Sequence, residues 1–152
     1  MVRPLEKKVA IVTGANQGLG LEISRKYLEA GASLALCARN GTLLEEVRHR
    51  LMTGLEPGQE ILAMTADVSK NADVLAFVNA SVEKFGHLDI LVNNAGVYGP
   101  KGPIEDVDWV EWVQAIEINL LGEKRQGPLD TGHHVFHICM IILVNWRVVG
   151  NP

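Results

Sequence analysis

Short apolar runs alternate with amphipathic segments along most of this chain. The apolar runs are nearly continuous, which is typical of strands buried on both faces of a sheet. They predict strands at 8–12, 33–38, 59–66 and 89–92. Apolar residues recur at helical spacing in the segments between and after these runs, at 19–30, 42–51, 74–85 and 108–122. The pattern therefore predicts four strand–helix units in succession.

Residues at the segment ends support this division. Gly31 and Gly86 are placed to end the first and third helices. Thr42 with Glu45, and Asp108 with Glu111, have the spacing of capping boxes that open the second and fourth helices. Four such units in a row predict an α/β fold with a doubly wound parallel sheet. We assign this architecture to residues 1–122, and residues 123–152 to a divergent tail.

Composition excludes several classes of protein. With 47% hydrophobic and 21% charged residues, the 152-residue chain is too apolar for a disordered protein, and its net charge of −4 argues against a nucleic-acid surface. No run reaches the roughly 18 apolar residues of a membrane span, and we recognise no signal peptide at the charged N-terminus. The two cysteines, Cys37 and Cys139, make no disulfide framework, so we expect a cytoplasmic protein.

A glycine-rich loop joins the first strand to the first helix, with the sequence Thr13-Gly14-Ala15-Asn16-Gln17-Gly18-Leu19-Gly20. Glycines there allow a tight turn, a close approach of the backbone to a pyrophosphate and close packing of helix on strand. The helix N-terminus offers unpaired N–H groups to phosphates. The loop predicts a dinucleotide site in a Rossmann-like fold, and the competing interpretation is a merely structural turn.

The end of the second strand bears on which dinucleotide binds. An NAD site usually has an acidic residue about 20 residues beyond the loop, whereas an Arg there accommodates a 2′-phosphate. This chain has Ala38-Arg39-Asn40 and no acid. We therefore expect NADP(H) to be preferred over NAD(H), unless Arg39 is only a solvated loop residue.

Four motifs in order resemble the short-chain dehydrogenase/reductase family over residues 7–122. They are the glycine loop, Asp67-Val68, Asn93-Asn94-Ala95-Gly96 and Asn119. The resemblance implies an oxidoreductase that transfers hydride between NAD(P)(H) and a small carbonyl or alcohol substrate. It also implies that Asp67 and Val68 contact the adenine ring, that Asn93, Ala95 and Gly96 belong to the cofactor site and that Asn119 is a catalytic-site residue.

The family's Ser and Tyr-x-x-x-Lys group is absent from the sequence. The tyrosines are Tyr27 and Tyr98, the last serine is Ser81, and no tyrosine precedes Lys124 by four residues. A phenol needs a neighbouring cation to exchange protons near neutrality, so we expect no turnover from this chain. At about 30 residues per βα unit, a sheet of six or seven strands would need well over roughly 200 residues, so the chain looks truncated to its cofactor-binding half.

The tail allows two interpretations. Residues 135–144 are apolar and follow Asn119 where a fifth strand of the family would, yet Trp146-Arg147 stand in place of its serine. In the first interpretation, the tail is a diverged fifth strand. In the second, which we favour, it is out-of-frame or alternatively spliced sequence. His133 and His137 have helical ligand spacing but lack a convincing third ligand, so no metal site is expected.

Three functions stay open on the sequence. The first is an oxidoreductase represented by its cofactor half. The second is a non-catalytic nucleotide-binding or partner-binding protein that pairs with a full-length relative. The third is a non-functional product with an uncovered sheet edge. We expect Trp109 and Trp112 to pack their helix rather than form a ligand cage.

Overall fold

The computed structural model describes residues 3–100, 103–121 and 136–139. Strands and helices alternate as the apolar pattern predicts. The elements are β1 (Val9–Thr13), α1 (Gly18–Glu29), β2 (Ser33–Ala38), α2 (Gly41–Met52), β3 (Ile61–Thr65), α3 (Asn71–Phe85), β4 (Ile90–Asn93), a 3₁₀ turn (Ile104–Asp106), α4 (Trp109–Ile116), a π-helical turn (Glu117–Leu121) and β5 (Phe136–Cys139).

The strands form one parallel sheet in the order β3-β2-β1-β4-β5. The chain winds outward from β1 through β2 to β3 and then returns to place β4 on the other side of β1. The strand order therefore reverses between β1 and β4, and a reversal of this kind leaves a crevice at the carboxyl ends of the two strands. The predicted doubly wound, Rossmann-like α/β fold is confirmed.

Each face of the sheet has its own apolar core. Ala10 and Val12 of β1 pack with residues of α1 and α2 such as Leu28 and Leu44. Val9 and Ile11, the alternate residues of the same strand, pack on the other face with Phe77 of α3. Because side chains of a strand alternate between faces, the near-continuous apolar runs reflect burial on both sides.

The structure corrects one helix start and supports another. Thr42 does not cap α2: the cap is Asn40, whose side chain accepts a hydrogen bond from Leu43 N at 3.0 Å. Glu45 instead pairs with Arg48 at 2.5 Å, three residues along α2. For α4, Asp108 is the cap as predicted and accepts from Glu111 N at 2.9 Å.

A fifth strand covers the far edge of β4. Phe136–Cys139 pairs with it in parallel, with Ile90 opposite Phe136 and Asn93 opposite Cys139. This strand lies within the apolar run at 135–144, for which a strand was one of the two interpretations. The rest of that run, His133 and Trp146-Arg147 lie outside the described residues.

Candidate cofactor-binding site

The candidate residues converge on the carboxyl edge of the sheet. The glycine loop follows β1, Arg39 follows β2, Asp67 lies just beyond β3, and Asn93 ends β4. Since all these strands are parallel, their carboxyl ends lie along one edge. The crevice between β1 and β4 opens there, and ligands of open α/β sheets bind at such a crevice.

The three glycines of the loop are required for different reasons. Gly14 has a φ of +64°, and a Cβ there would lie 2.8 Å from Ala95 Cα. Gly18 has a φ of +56° but open space around it. Gly20 has no positive φ, yet its Cβ would lie 2.4 Å from Gly14 O and 2.4 Å from Asn94 Nδ2. Gly14 and Gly20 therefore allow the glycine loop to lie close to the loop after β4 (the β4 loop), and Gly14 and Gly18 allow the chain to turn.

The start of α1 faces solvent. Gln17, Gly18 and Leu19 are exposed, Leu19 by 52%, while Asn16 is half-buried. Gln17 occupies the cap position without a side-chain cap hydrogen bond. The first backbone N–H groups of a helix have no partner within it, so this end of α1 is suited to an anionic group such as a phosphate.

Thr13 and Asn94 join the glycine loop to the β4 loop. The Thr13 hydroxyl accepts hydrogen bonds from Asn94 N at 3.0 Å and Ala95 N at 2.9 Å. Asn94 Nδ2 in turn donates to Thr13 O at 2.9 Å and Gly14 O at 3.1 Å. Neither residue was among the predicted site residues, although both lie within the quoted motifs. A hydroxyl that ends an otherwise apolar buried strand was the available signal.

Arg39 and Asp67 form the polar end of the site. Arg39 is exposed, and in the described part of the chain it has no ion pair within 4.0 Å. Asp67 is half-buried. Burial opposes its ionisation, but hydrogen bonds from Ser69 and the charge of Arg39 outweigh burial and lower the pKa of the carboxyl. An ionised acceptor and an unpaired guanidinium therefore lie near each other.

The remaining candidate residues, which lie after β3 and at or after the end of β4, differ in how far they are exposed to solvent. Val68 is 5% exposed and packs in the core beside Val74. Asn93 is 4% exposed, whereas Ala95 is half-buried and Gly96 exposed. Tyr98, two residues further on, is 68% exposed.

Asn119 lies in the π-helical turn that follows α4. Its side chain accepts from Val97 N at 2.8 Å and donates to Val97 O at 2.7 Å. π-helical turns often occur at functional sites. The turn therefore ties α4 to the loop after β4, which carries Ala95 and Gly96.

Within 3–100, 103–121 and 136–139, no group of three or more His, Cys, Asp or Glu is arranged to hold a metal ion. No helix in the same ranges has the length and apolar character to cross a membrane.

Comparison with known proteins agrees with this geometry. A sequence model of short chain dehydrogenases matches residues 8–124. The chain belongs to the short chain dehydrogenase family. An L-fucose dehydrogenase of Bos taurus is 36% identical over 115 residues, which cover 76% of this chain and 40% of that enzyme.

Solved structures of short chain dehydrogenases share the fold. An alcohol dehydrogenase from the archaeon Thermococcus sibiricus, complexed with 5-hydroxy-NADP, superimposes with a TM-score of 0.72 at 40% identity, covering 78% of this chain and 49% of that one. A 3-ketoacyl-(acyl-carrier-protein) reductase from Brucella melitensis, complexed with NADH, gives 0.73 at 35% identity, covering 80% and 48%. The chain thus spans about half the length of the family members that it matches.

Proposed function

We propose that this chain binds a dinucleotide cofactor at the carboxyl edge of its sheet and prefers NADP(H) over NAD(H). The observation that carries the proposal is the glycine loop at the β1–β4 crevice, where Gly14 and Gly20 bring two loops into contact and α1 presents its N-terminus to solvent. A pyrophosphate there would meet backbone N–H groups and the positive end of the helix dipole. Asn16, Gln17, Gly18 and Leu19 line that position.

The preference for NADP(H) depends on Arg39. Its guanidinium is exposed and has no ion pair within the described residues, so its planar set of donors can meet a 2′-phosphate without breaking an existing bond. The family includes structures with either cofactor type, so the preference belongs to this chain's own residues.

The reaction class that we propose is oxidoreduction by hydride transfer between the nicotinamide and a small carbonyl or alcohol. The nicotinamide supplies or accepts the hydride when bound. This chain would contribute the cofactor site and Asn119, while the Ser and Tyr-x-x-x-Lys group has no counterpart in its sequence. We therefore expect cofactor binding without turnover from this chain alone, in a cytoplasmic setting that suits its buried free thiol at Cys37.

Titration of the purified chain with NADPH and NADH tests the proposal. We expect saturable binding of both, tighter for NADPH, with a rise in Tm that grows with cofactor concentration. The Arg39→Ser variant should weaken NADPH several-fold and leave NADH unchanged. Arg25, which already pairs with Glu22 on the outer face of α1, gives the matched control Arg25→Ser. Equal affinity for both cofactors would overturn the NADP(H) preference, and oxidation of NADPH by aldehydes or ketones would overturn the expectation of no turnover.

A second candidate function, pairing with a full-length relative, is favoured by the surface of α4. Trp109 and Val110 are 73% and 72% exposed, which contradicts the expectation that Trp109 packs its helix. They line an open groove together with Val113, Gln114 and Glu117. Exposed apolar patches of this kind mark interaction surfaces. Light scattering of the chain mixed with a full-length member tests the pairing, which Trp109→Glu should abolish.

A further inference from the structure

The loop between β3 and α3 holds the Asp67 carboxylate from one side. Asp67 Oδ1 accepts from Ser69 N at 3.0 Å and from Ser69 Oγ at 2.7 Å. The backbone N–H of Asp67 donates to Asp73 Oδ2 at 3.0 Å, and its carbonyl accepts from Lys70 N at 2.9 Å. Both the peptide units and the side chain of Asp67 are therefore fixed by the first residues of the loop and of α3.

The two carboxylate oxygens of Asp67 therefore differ in their hydrogen bonding. Oδ1 is occupied by Ser69, whereas Oδ2 has no hydrogen bond to any residue in the described part of the chain. An ionised carboxylate only accepts hydrogen bonds. Oδ2 can thus receive an exocyclic amine such as that of adenine, but it would meet the oxygen of hypoxanthine as a second acceptor.

Without Ser69 the carboxylate would have a competing partner. Arg39 is near enough for its charge to favour the ionised form of Asp67, yet no ion pair within 4.0 Å joins the two residues. A carboxylate released by Ser69 could rotate towards this guanidinium and occupy the donors that a 2′-phosphate needs.

We propose that Ser69 is a positioning residue that holds Asp67 towards the adenine amine and away from Arg39. The inference rests on the proposed cofactor site and deepens it, because it assigns base discrimination to the hydroxyl that donates to the Asp67 carboxylate. Asp73 acts with Ser69 by fixing the backbone of Asp67.

The test compares the unaltered chain with Ser69→Ala, Ser69→Thr and a control, Ser33→Ala. Ser33 Oγ accepts from Glu60 N at 3.0 Å, at the amino end of β2 and therefore at the opposite edge of the sheet. Each variant is titrated with NADPH and with its reduced hypoxanthine analogue, in which an oxygen replaces the adenine amine. The titration of the Asp67 carboxyl is followed by NMR without cofactor.

We expect Ser69→Ala to lose about three- to ten-fold in NADPH affinity, the equivalent of one net hydrogen bond, and to bind the hypoxanthine analogue as before. Ser69→Thr keeps the hydroxyl and should restore the discrimination, and Ser33→Ala should leave it intact. Loss of the Ser69 hydroxyl should also raise the pKa of Asp67, because that hydrogen bond lowers it. Loss of affinity for both compounds alike would indicate a merely structural role and overturn the inference.

Failure of the proposed function is distinguishable from failure of this inference. If the unaltered chain binds neither compound, the cofactor site itself is overturned, together with the adenine contact. If it binds NADPH and Ser69→Ala discriminates as well as before, only the role of Ser69 is overturned. If the pKa of Asp67 is the same in Ser69→Ala as in the unaltered chain, the proposed positioning of the carboxylate by Ser69 is likewise overturned, regardless of the cofactor affinities.

Discussion

The side chain of Asn119 pairs with the backbone of Val97 through two hydrogen bonds, one accepted from Val97 N at 2.8 Å and one donated to Val97 O at 2.7 Å. The Asn119 amide thus provides partners for both the backbone N–H and the backbone C=O of Val97, as the backbone of a neighbouring strand would. Ile118, the preceding residue, is 5% exposed and packs in the core on the α3 face of the sheet. The π-helical turn therefore anchors the loop after β4 through the hydrogen bonds of Asn119, and Ile118 anchors the turn itself in the apolar core.

Replacing Asn119 with Ala should loosen that loop. The substitution leaves a backbone N–H and a backbone C=O of half-buried Val97 without their partner, and we expect a loss of about 1–3 kcal/mol in the free energy of unfolding. Urea denaturation measures it. Asn79, an exposed residue of α3, provides the matched control Asn79→Ala, with a change of less than about 0.5 kcal/mol. Equal stabilities for the two variants would show that the Val97 contact contributes nothing.

Gly20 and Gly18 should respond differently to the same added methyl group. In Gly20→Ala the new Cβ would lie 2.4 Å from Gly14 O, within the same glycine loop, and 2.4 Å from Asn94 Nδ2 in the loop after β4. The glycine loop must therefore distort and move away from the loop after β4, and we expect loss of both cofactor affinity and about 2 kcal/mol or more of stability. In Gly18→Ala the space is open and only the φ of +56° is unfavourable, which costs about 1 kcal/mol. Thermal unfolding and NADPH titration of both variants check this order. The reverse order would show that conformation, not contact, limits the loop.

Much of this site follows from the sequence because it depends on local constraints. Gly14 and Gly18 turn the chain immediately after an apolar strand, and a parallel sheet then brings Arg39, Asp67 and Asn93 to the same edge. Gly86 ends α3 with a φ of 75°, as its position after an apolar helical stripe predicts. Such features are determined by backbone conformation within a few residues and by the strand order, so no distant contact is needed to predict them.

Features that depend on a choice between equivalent residues could not be predicted in this way. Asn40 and Thr42 both have side chains that cap helices, and the structure uses Asn40, two residues before the predicted start. Trp109 was expected to pack its helix because large aromatic residues usually lie inside, but no residue of α4 is buried. The hold of Ser69 on Asp67 depends on the conformation of one loop, and the sequence alone does not determine that conformation.

Asp89 should make stability depend on pH at the opposite edge of the sheet. Burial opposes its ionisation, but Lys8 Nζ at 2.8 Å and Val9 N at 2.8 Å donate to the carboxylate, and its pKa lies below the ordinary 3.8. A lowered pKa stabilises the fold above the ordinary value, and this contribution is lost as pH falls through the folded value. Asp89→Asn should therefore cost about 1–2 kcal/mol at pH 6 and progressively less below about pH 4. Urea denaturation across this range, with exposed Asp106→Asn as control, tests it; a constant difference would contradict the charge contribution.

The thiol of Cys37 should report on opening of the site. Cys37 is 1% exposed beneath the glycine loop, where burial, opposed by a hydrogen bond from the Gly14 backbone, raises its pKa to about 12. Since the thiolate is the reactive form, a disulfide reagent at pH 8 should label the native chain at least about 100-fold more slowly than the chain in urea. The measurement is made in a Cys139→Ser background so that a single thiol is followed.

Labelling of Cys37 then requires local opening of β1 and β2, and saturating NADPH should slow it further because a bound ligand stabilises the closed form. Rapid labelling of the native chain would show that the core beneath the loop is open to solvent, and labelling that NADPH leaves unchanged would place the cofactor elsewhere.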